Sequence, residues 1–212
     1  MARHIYLRYS DDVPGSALMR SYFRYLDNIP GSALAYNIEQ FALADRRSLK
    51  CHFGEPCDPR KLIRFYDVSR ILETSADYQQ HYGRSLHREV FAKAFSGVTI
   101  PICNGEHLIL INPFHSLTRR NFTIAHEFGH LVLNHQPVII REGEELQPRY
   151  SDSQEFQAHH YALAILLPYA PLVQMLRQGA SIKGIAHHYT VSPAAVEMRM
   201  KISGLWGVQT GF

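Results

Sequence analysis

The sequence has few cysteines and no long run of apolar residues. Its three cysteines among 212 residues are too few and too scattered for a disulfide scaffold, so we expect reduced thiols in a cytoplasmic protein. No segment reaches the roughly 18 consecutive apolar residues that a membrane helix needs. No apolar stretch follows the charged start of the chain, residues 1–4. We therefore expect neither a membrane span nor a secretory signal.

Net charge is also low. The formal charge is +3 and charged residues make up 19% of the chain, a balance that neither requires nor excludes nucleic acid as a partner. Hydrophobic residues make up 46%, which is typical of a folded globular protein and argues against a disordered chain. The length fits one large domain, or one domain with small appendages.

The N-terminal region, residues 1–95, is predicted to be helical, and its role is unknown. A Pro-Gly-Ser-Ala-Leu sequence occurs at 14–18 and again at 30–34, and each copy supplies a turn before a helix-forming run. Apolar residues at helical spacing predict one further helix over 59–80, and a shorter helix is expected near 86–95.

The middle region, residues 96–180, combines strands with two helices. The β-rich runs 98–103 and 107–111 flank Asn104-Gly105, a strong hairpin signal, and Pro101 places the first run at a sheet edge or in a bulge. The remaining predicted elements are a helix over 119–135, a polar loop over 136–152, and a helix over 153–167 that ends before Pro168. This pattern predicts an α+β fold with a small antiparallel-edged sheet beside a mainly helical body.

One five-residue motif carries chemistry. His126 and His130 lie four residues apart in a helical window, which places both imidazoles on one face, ready to share a metal ion. Glu127 is offset around the helix by about 100°, so it can reach a metal-bound water rather than the metal. This pattern indicates a zinc site in which Glu127 is the general base.

A catalytic zinc site needs a third protein ligand. The metzincin pattern places a histidine at position 136, where this chain has Gln136. The next ligand-rich stretch contains Glu155 and His159, which share a helix face. Either Glu155 binds the metal and His159 orients a ligand histidine, or His159 or His160 binds directly. For His160 the favoured interpretation is a solvent-facing helix residue.

Two longer segments resemble the ImmA/IrrE family of metallopeptidases. Segment 119–131 (RRNFTIAHEFGHL) is similar to the zinc-helix signature of that family, and segment 155–168 (EFQAHHYALAILLP) to its second motif. Residues 185–200 are similar to the family's closing segment, and the resemblance covers about residues 98–203. The departure is His159, which stands where the family has Asn or Asp.

The resemblance implies a zincin-like fold with Zn2+ held by His126, His130 and Glu155, and Glu127 as the catalytic base. Family members are regulatory proteases, several of which cut helix-turn-helix repressors. We therefore expect an endopeptidase that cleaves a cytoplasmic regulatory protein. The strand at 107–111 is expected to pair with the substrate backbone, unless it is a plain core strand.

The C-terminal tail, residues 181–212, has helix-turn-helix spacing. As a DNA reader its second helix needs basic residues, and only Arg199 and Lys201 are available. DNA is therefore the less favoured partner. The alternative functions are a DNA-binding or sensor protein with a structural metal site, and a toxin of a toxin–antitoxin pair.

Four residues are candidates for stabilising an oxyanion: Tyr150, Tyr161, His115 and His187.

Overall fold

The computed structural model describes residues 32–66, 69–82, 95–102, 106–142 and 145–206. The helices in these ranges are α1 (Ser32–Ser48), α2 (Arg60–Tyr66), α3 (Ser75–Tyr82), α4 (Leu117–Val132), α5 (Asp152–Leu166), α6 (Tyr169–Arg177), α7 (Ile182–Tyr189) and α8 (Pro193–Ile202). The strands are β1 (Ser69–Leu72), β2 (Gly97–Pro101), β3 (His107–Ile111), β4 (Val138–Glu142) and β5 (Glu145–Arg149). The mixed α+β class predicted from the sequence is confirmed.

A three-stranded sheet has the order β1-β3-β2. β1 runs parallel to β3, and β2 pairs antiparallel to β3 with Val98 opposite Leu110. The predicted hairpin partners are therefore confirmed, although the tip at 103–105 lies outside the described residues. Pro101 is on the outer strand β2, where its missing N–H costs no ladder hydrogen bond. The strand expected at a substrate-binding edge, β3, is instead the central strand, so both of its edges are already paired.

The single helix predicted over 59–80 is wrong. The chain forms α2, then the strand β1, and then α3. Helical spacing of apolar residues could not reveal β1, because a four-residue strand gains its stability from pairing with β3. A new helix starts after it, because Thr74 Oγ1 accepts from Asp77 N while the Asp77 carboxylate accepts from Glu73 N and Thr74 N.

The polar loop predicted over 136–152 is also wrong. This segment contains the antiparallel hairpin β4–β5, in which Ile139 lies opposite Pro148. The β-branched residues of 138–140 favour a strand, and the charged residues around them conceal that preference. A two-stranded ribbon has two outer edges, which is why Pro148 is tolerated in it.

The other helices agree with the sequence. α4 and α5 are confirmed, and α5 ends at Leu166, two residues before Pro168. Three shorter helices, α6 to α8, follow them. In the N-terminal region α1 begins at Ser32, directly after the second Pro-Gly pair. The first copy of that repeat, and the helix predicted near 86–95, lie outside the described residues.

The core is built around α5, which is buried over Ala158 and His160–Leu166 and packs against both α1 and α4. Gly129 allows the close approach of α4, since a Cβ there would lie 3.2 Å from the Ala158 backbone. A side chain at position 129 would therefore have to displace α5 slightly. Ile38 of α1 belongs to the same hydrophobic core as α4 to α8. The division at residues 95 and 181 stays a prediction. None of the helices in the described ranges has the length and apolar character to cross a membrane.

Candidate metal centre

α4 places two imidazoles side by side. The helix starts at Leu117, where Ser116 caps it by accepting from Arg119 N, and it continues without interruption through the motif. One helical turn separates His126 from His130, and their Nε2 atoms lie 3.1 Å apart. His130 is 2% exposed. Two ring nitrogens at this separation can serve as ligands of the same metal ion.

Glu155 in the first turn of α5 adds a carboxylate to this pair. A capping box between Ser151 and Gln154 fixes the start of the helix. Glu155 Oε2 lies 3.3 Å from His126 Nε2, and Glu155 Oε1 lies 3.8 Å from His130 Nε2. The structure thus brings together the three residues that the family resemblance implies as ligands, with the N2O donor set that zinc accepts.

His159 offers a second arrangement. Ligand atoms of His126, Glu155 and His159 all lie within 4.8 Å of one another. His159 Nδ1 donates to the Glu155 carbonyl oxygen at 2.9 Å, which leaves the lone pair on Nε2. However, His159 is not among the residues that line the cavity in front of His126 and His130. The residue therefore lies beside His126 without lining this cavity.

The protonation states suit metal binding. Burial, together with neighbouring His126, lowers the pKa of His130 from 6.5 to about 3. The hydrogen bond with His126 lowers the pKa of Glu155 below its usual value. At neutral pH the site therefore offers an unprotonated imidazole and an ionised carboxylate, the forms that bind a cation without first releasing a proton.

Glu127 lies in the same cavity in a different environment. Its side chain is buried, and Oε2 accepts a hydrogen bond from Thr99 Oγ1 at 2.7 Å. Burial raises the pKa of Glu127 above its usual value. Gly97 on β2 makes this arrangement fit, because a Cβ there would lie 2.4 Å from Thr123 Cγ2 and 3.2 Å from Glu127 Cγ. The roles of Thr99 and Gly97 could not be predicted from the sequence, because only folding brings β2 next to the motif.

The cavity in front of these side chains has a volume of about 170 Å³. It is lined by residues of β2, α4, the end of β5 and the start of α5: Gly97, Val98, Thr99, His126, Glu127, His130, Arg149, Tyr150 and Glu155. Tyr150 stacks on His130, with ring centroids 3.7 Å apart. Burial, with the nearby carboxylates of Glu127 and Glu155, raises the pKa of Tyr150 to about 12. Its hydroxyl therefore remains a hydrogen-bond donor at neutral pH.

A polar network holds the N-terminal half of α4. Arg120 Nη1 lies 3.1 Å from Glu73 Oε1, and Arg60 Nε donates to Glu73 Oε2 at 2.5 Å. Asn121 accepts from Arg60 Nη1 at 2.8 Å and donates to the Thr190 carbonyl oxygen at 3.1 Å. Arg120 and Asn121 belong to the segment that resembles the family signature, although their partners could not be predicted without the fold. They connect α4 with β1, α2 and the turn between α7 and α8.

The interpretation of His160 as a solvent-facing residue is wrong. His160 is 2% exposed, and its Nε2 lies 3.6 Å from Glu39 Oε2. Arg199 Nη2 donates to both Glu39 oxygens, at 2.6 and 2.8 Å, and Arg199 Nε donates to the Leu167 carbonyl oxygen. α1 and α8 cover α5 at this position, so the His160 side chain has no access to solvent. Arg199, named as a basic residue for DNA, is buried and cannot reach a DNA backbone.

The four oxyanion candidates are separated by their positions. Tyr150 lines the cavity. Tyr161 is fully buried and donates to Asp45. His115, in the segment before α4, and His187, exposed on α7, are not among the cavity-lining residues.

Comparison with known proteins gives one result. The model of the IrrE N-terminal-like domain, a peptidase family known as M78, matches residues 70–201. No curated protein and no solved structure matches the chain. The matched region includes α4 and α5 and all the residues of the cavity. The match spans more than half of the sequence, and the chain therefore belongs to the ImmA/IrrE family of peptidases.

Proposed function

We propose that this protein is a zinc-dependent endopeptidase with a zincin-like core, in which His126, His130 and Glu155 hold the metal. The observation that carries the proposal is the convergence of these three donors on one cavity that also contains a buried carboxylate, Glu127. A bound zinc ion supplies Lewis acidity and lowers the pKa of a water molecule. The chain's own residues supply the remaining chemistry.

Glu127 is suited to act as the general base. A carboxylate with a raised pKa lies closer to the working pH, and it can both take a proton from water and return it to the leaving amine. The hydroxyl of Thr99 holds one carboxylate oxygen in place. Removing this hydrogen bond is expected to raise the pKa of Glu127 further, because the bond favours the ionised form.

Tyr150 is the candidate that best fits the oxyanion. Its ring is held against His130, it lines the cavity, and its hydroxyl is protonated at neutral pH. A neutral donor beside the reacting carbonyl can stabilise negative charge as it develops on the oxygen.

The substrate is proposed to bind as an extended strand along β2 rather than along β3. β2 is an outer strand of its sheet, and Val98 and Thr99 line the cavity. A peptide that pairs with β2 would pass in front of Glu127. Because an unfolded or looped segment pairs more readily than a helix, this geometry favours a site exposed in a loop or linker.

We further propose a cytoplasmic regulatory protein, such as a helix-turn-helix repressor, as the substrate; this rests on the family. The DNA-binding alternative loses support because Arg199 is buried. Of the two basic residues that could contact DNA, Arg199 and Lys201, only Lys201 is exposed. α7 and α8 are joined by a turn at Thr190, and Ser192 caps α8. This pair is proposed as a helix-turn-helix-like packing element. No observation favours a toxin or a structural metal site.

The test combines metal content with cleavage. Glu155→Ala is expected to lose zinc, since one of three donors is removed, whereas Glu127→Gln is expected to keep zinc and lose about 10²- to 10⁴-fold in cleavage rate. Metal analysis and cleavage of candidate helix-turn-helix repressors measure the two effects. His187→Gln, an exposed histidine on α7, is the control. Unchanged cleavage by zinc-loaded Glu127→Gln would contradict the mechanism. If Glu155→Ala kept all its zinc and His159→Ala lost it, the third metal ligand would be His159 rather than Glu155.

A further inference from the structure

His130 takes part in a hydrogen-bond chain on the side of its ring that faces away from the cavity. Its Nδ1 lies 2.9 Å from His135 Nδ1, and His135 Nε2 lies 3.1 Å from Gln157 Oε1. Gln157 Nε2 in turn donates to Ser153 Oγ at 3.1 Å. The chain starts at a proposed metal ligand on α4 and ends on α5, beyond the residues that sequence analysis identified.

The local fold places His135 there. α4 ends at Val132, and Asn134 has a left-handed conformation with φ of 53°. Asn134 N donates to the Leu131 carbonyl oxygen, and His135 N donates to the His130 carbonyl oxygen at 2.9 Å. This is the Schellman arrangement, in which the residue after a left-handed Asn or Gly folds back over the last helical turn. Because of this turn, the His135 ring lies against His130 rather than continuing along the helix axis.

The direction of the hydrogen bonds between His130, His135 and Gln157 follows from the amide group of Gln157. An amide oxygen only accepts, so His135 Nε2 must carry the hydrogen that points at Gln157 Oε1. A neutral His135 then has its lone pair on Nδ1 and accepts from His130 Nδ1. That requires His130 to carry its hydrogen on Nδ1, which leaves the Nε2 lone pair facing His126 and Glu155.

The opposite polarity is disfavoured at two points. With its hydrogen on Nδ1, His135 would direct the Nε2 lone pair at the lone pairs of Gln157 Oε1. His130 would then carry its hydrogen on Nε2, where a metal ligand needs a lone pair. We infer that His135 and Gln157 are positioning residues that select the metal-binding tautomer of His130, with Tyr150 fixing the plane of the same ring by stacking.

This inference rests on the proposed function for its consequence, which is metal affinity, but the tautomer itself can be measured without metal. In the full-length protein His135→Phe removes the acceptor and is expected to lower zinc affinity by about 10- to 100-fold, as loss of such a partner commonly does. Gln157→Leu is expected to lower the affinity in the same direction, and Gln157→Glu to keep it, because a carboxylate still accepts from His135. Competition with a chromophoric chelator measures each affinity.

The double variant separates selection of a tautomer from a packing effect. Gln157 acts on His130 only through His135, so Gln157→Leu should cause no additional loss of zinc affinity in the His135→Phe background. His187→Phe, on exposed α7, should bind zinc as the wild type does. If His135→Phe does not fold, the pair Gln157→Leu and Gln157→Glu decides. Equal zinc affinity for all the variants would overturn the inference.

Nitrogen-15 NMR of labelled histidine in metal-free protein gives the independent readout. The expected spectrum shows His130 protonated on Nδ1 and His135 on Nε2, and a shift of His130 towards the other tautomer in Gln157→Leu. A wild-type His130 protonated on Nε2 would overturn the inference. If the wild type binds no zinc, the proposed function fails, and the NMR result still decides the tautomer.

Discussion

His159 and His160 are adjacent in sequence, yet they lie on different faces of α5, about 100° apart around its axis, in two different polar clusters. The His159 ring faces α4, 4.5 Å from the ring of His126. His160 lies in the interior beside Glu39 of α1, whose carboxylate is paired with Arg199 of α8. Each cluster contains a contact between a histidine and a glutamate of a different helix. The clusters differ in solvent access and in what balances the negative charge.

The difference between the two glutamates shows how the same residue types acquire different roles. The Glu39 side chain is 0% exposed and its charge is compensated by a guanidinium, so no further cation is needed there. The Glu155 side chain is 41% exposed, lines an open cavity, and lies 3.3 Å from His126 Nε2 and 3.8 Å from His130 Nε2. A carboxylate beside two imidazole nitrogens supplies donors that a metal ion can use. We therefore interpret the Glu39 cluster as structural and the Glu155 cluster as the functional centre.

The largest effect is expected from Glu39→Ala. This change leaves the Arg199 guanidinium buried without its carboxylate, which typically lowers the free energy of unfolding by about 3–5 kcal/mol. Urea denaturation measures the loss. Glu39→Gln keeps the shape and an acceptor oxygen, and it should be less damaging. A loss below about 1 kcal/mol for Glu39→Ala would show that the cluster does not stabilise the fold.

Acid is expected to have the next largest effect. Burial alone would raise the pKa of Glu39, but Arg199 and His160 outweigh it and lower the pKa from 4.5 to about 2. A carboxylate with a lowered pKa stabilises the folded state above pH 4.5 and loses this contribution as the pH falls towards about 2. The difference corresponds to at most about 3 kcal/mol.

Unfolding experiments between pH 7 and pH 2 measure this loss. Glu39→Gln has no carboxyl to titrate at this position, so its free energy of unfolding should fall less steeply than that of the wild type. Parallel curves for the two proteins would assign the acid sensitivity to other groups.

The smallest effect on stability is expected from Glu155→Ala. In metal-free protein this half-exposed residue should change the free energy of unfolding by no more than about 0.5 kcal/mol. With zinc at 100 times its Kd the wild type should gain about 2.7 kcal/mol, and the variant much less. Denaturation with and without zinc checks both statements. A large fall in the free energy of unfolding of metal-free Glu155→Ala would show that Glu155, like Glu39, stabilises the fold.

Local patterns predicted most of the α+β fold and the residues of the candidate centre. The spacing of His126 and His130, the hairpin signal at Asn104-Gly105 and the stop at Pro168 each depend on a few neighbouring residues, and the structure has the corresponding elements. The role of Glu155 as a ligand stays a prediction, although the structure brings it within 3.3 Å of His126.

Features that depend on distant partners were missed or misread. The strand β1 is stabilised by pairing with β3. In the hairpin β4–β5, charged residues interrupt the apolar pattern by which strands are recognised in a sequence. His160 was predicted to be exposed because helical periodicity shows which residues share a face but not how many faces other elements cover. Thr99 and Gly97 approach Glu127 only after β2 packs on α4.

The sequence by itself determined which side chains can bind a metal, since that follows from residue type and helical spacing within a single segment. The tertiary structure decided which of them share a cavity, which are sealed in the core and which carry a hydrogen on a given nitrogen. Those properties depend on solvent access and on hydrogen bonds between residues far apart in the chain. His159 and His160 illustrate this: they are identical and adjacent in the sequence, and only the packing of α1, α4 and α8 around α5 distinguishes them.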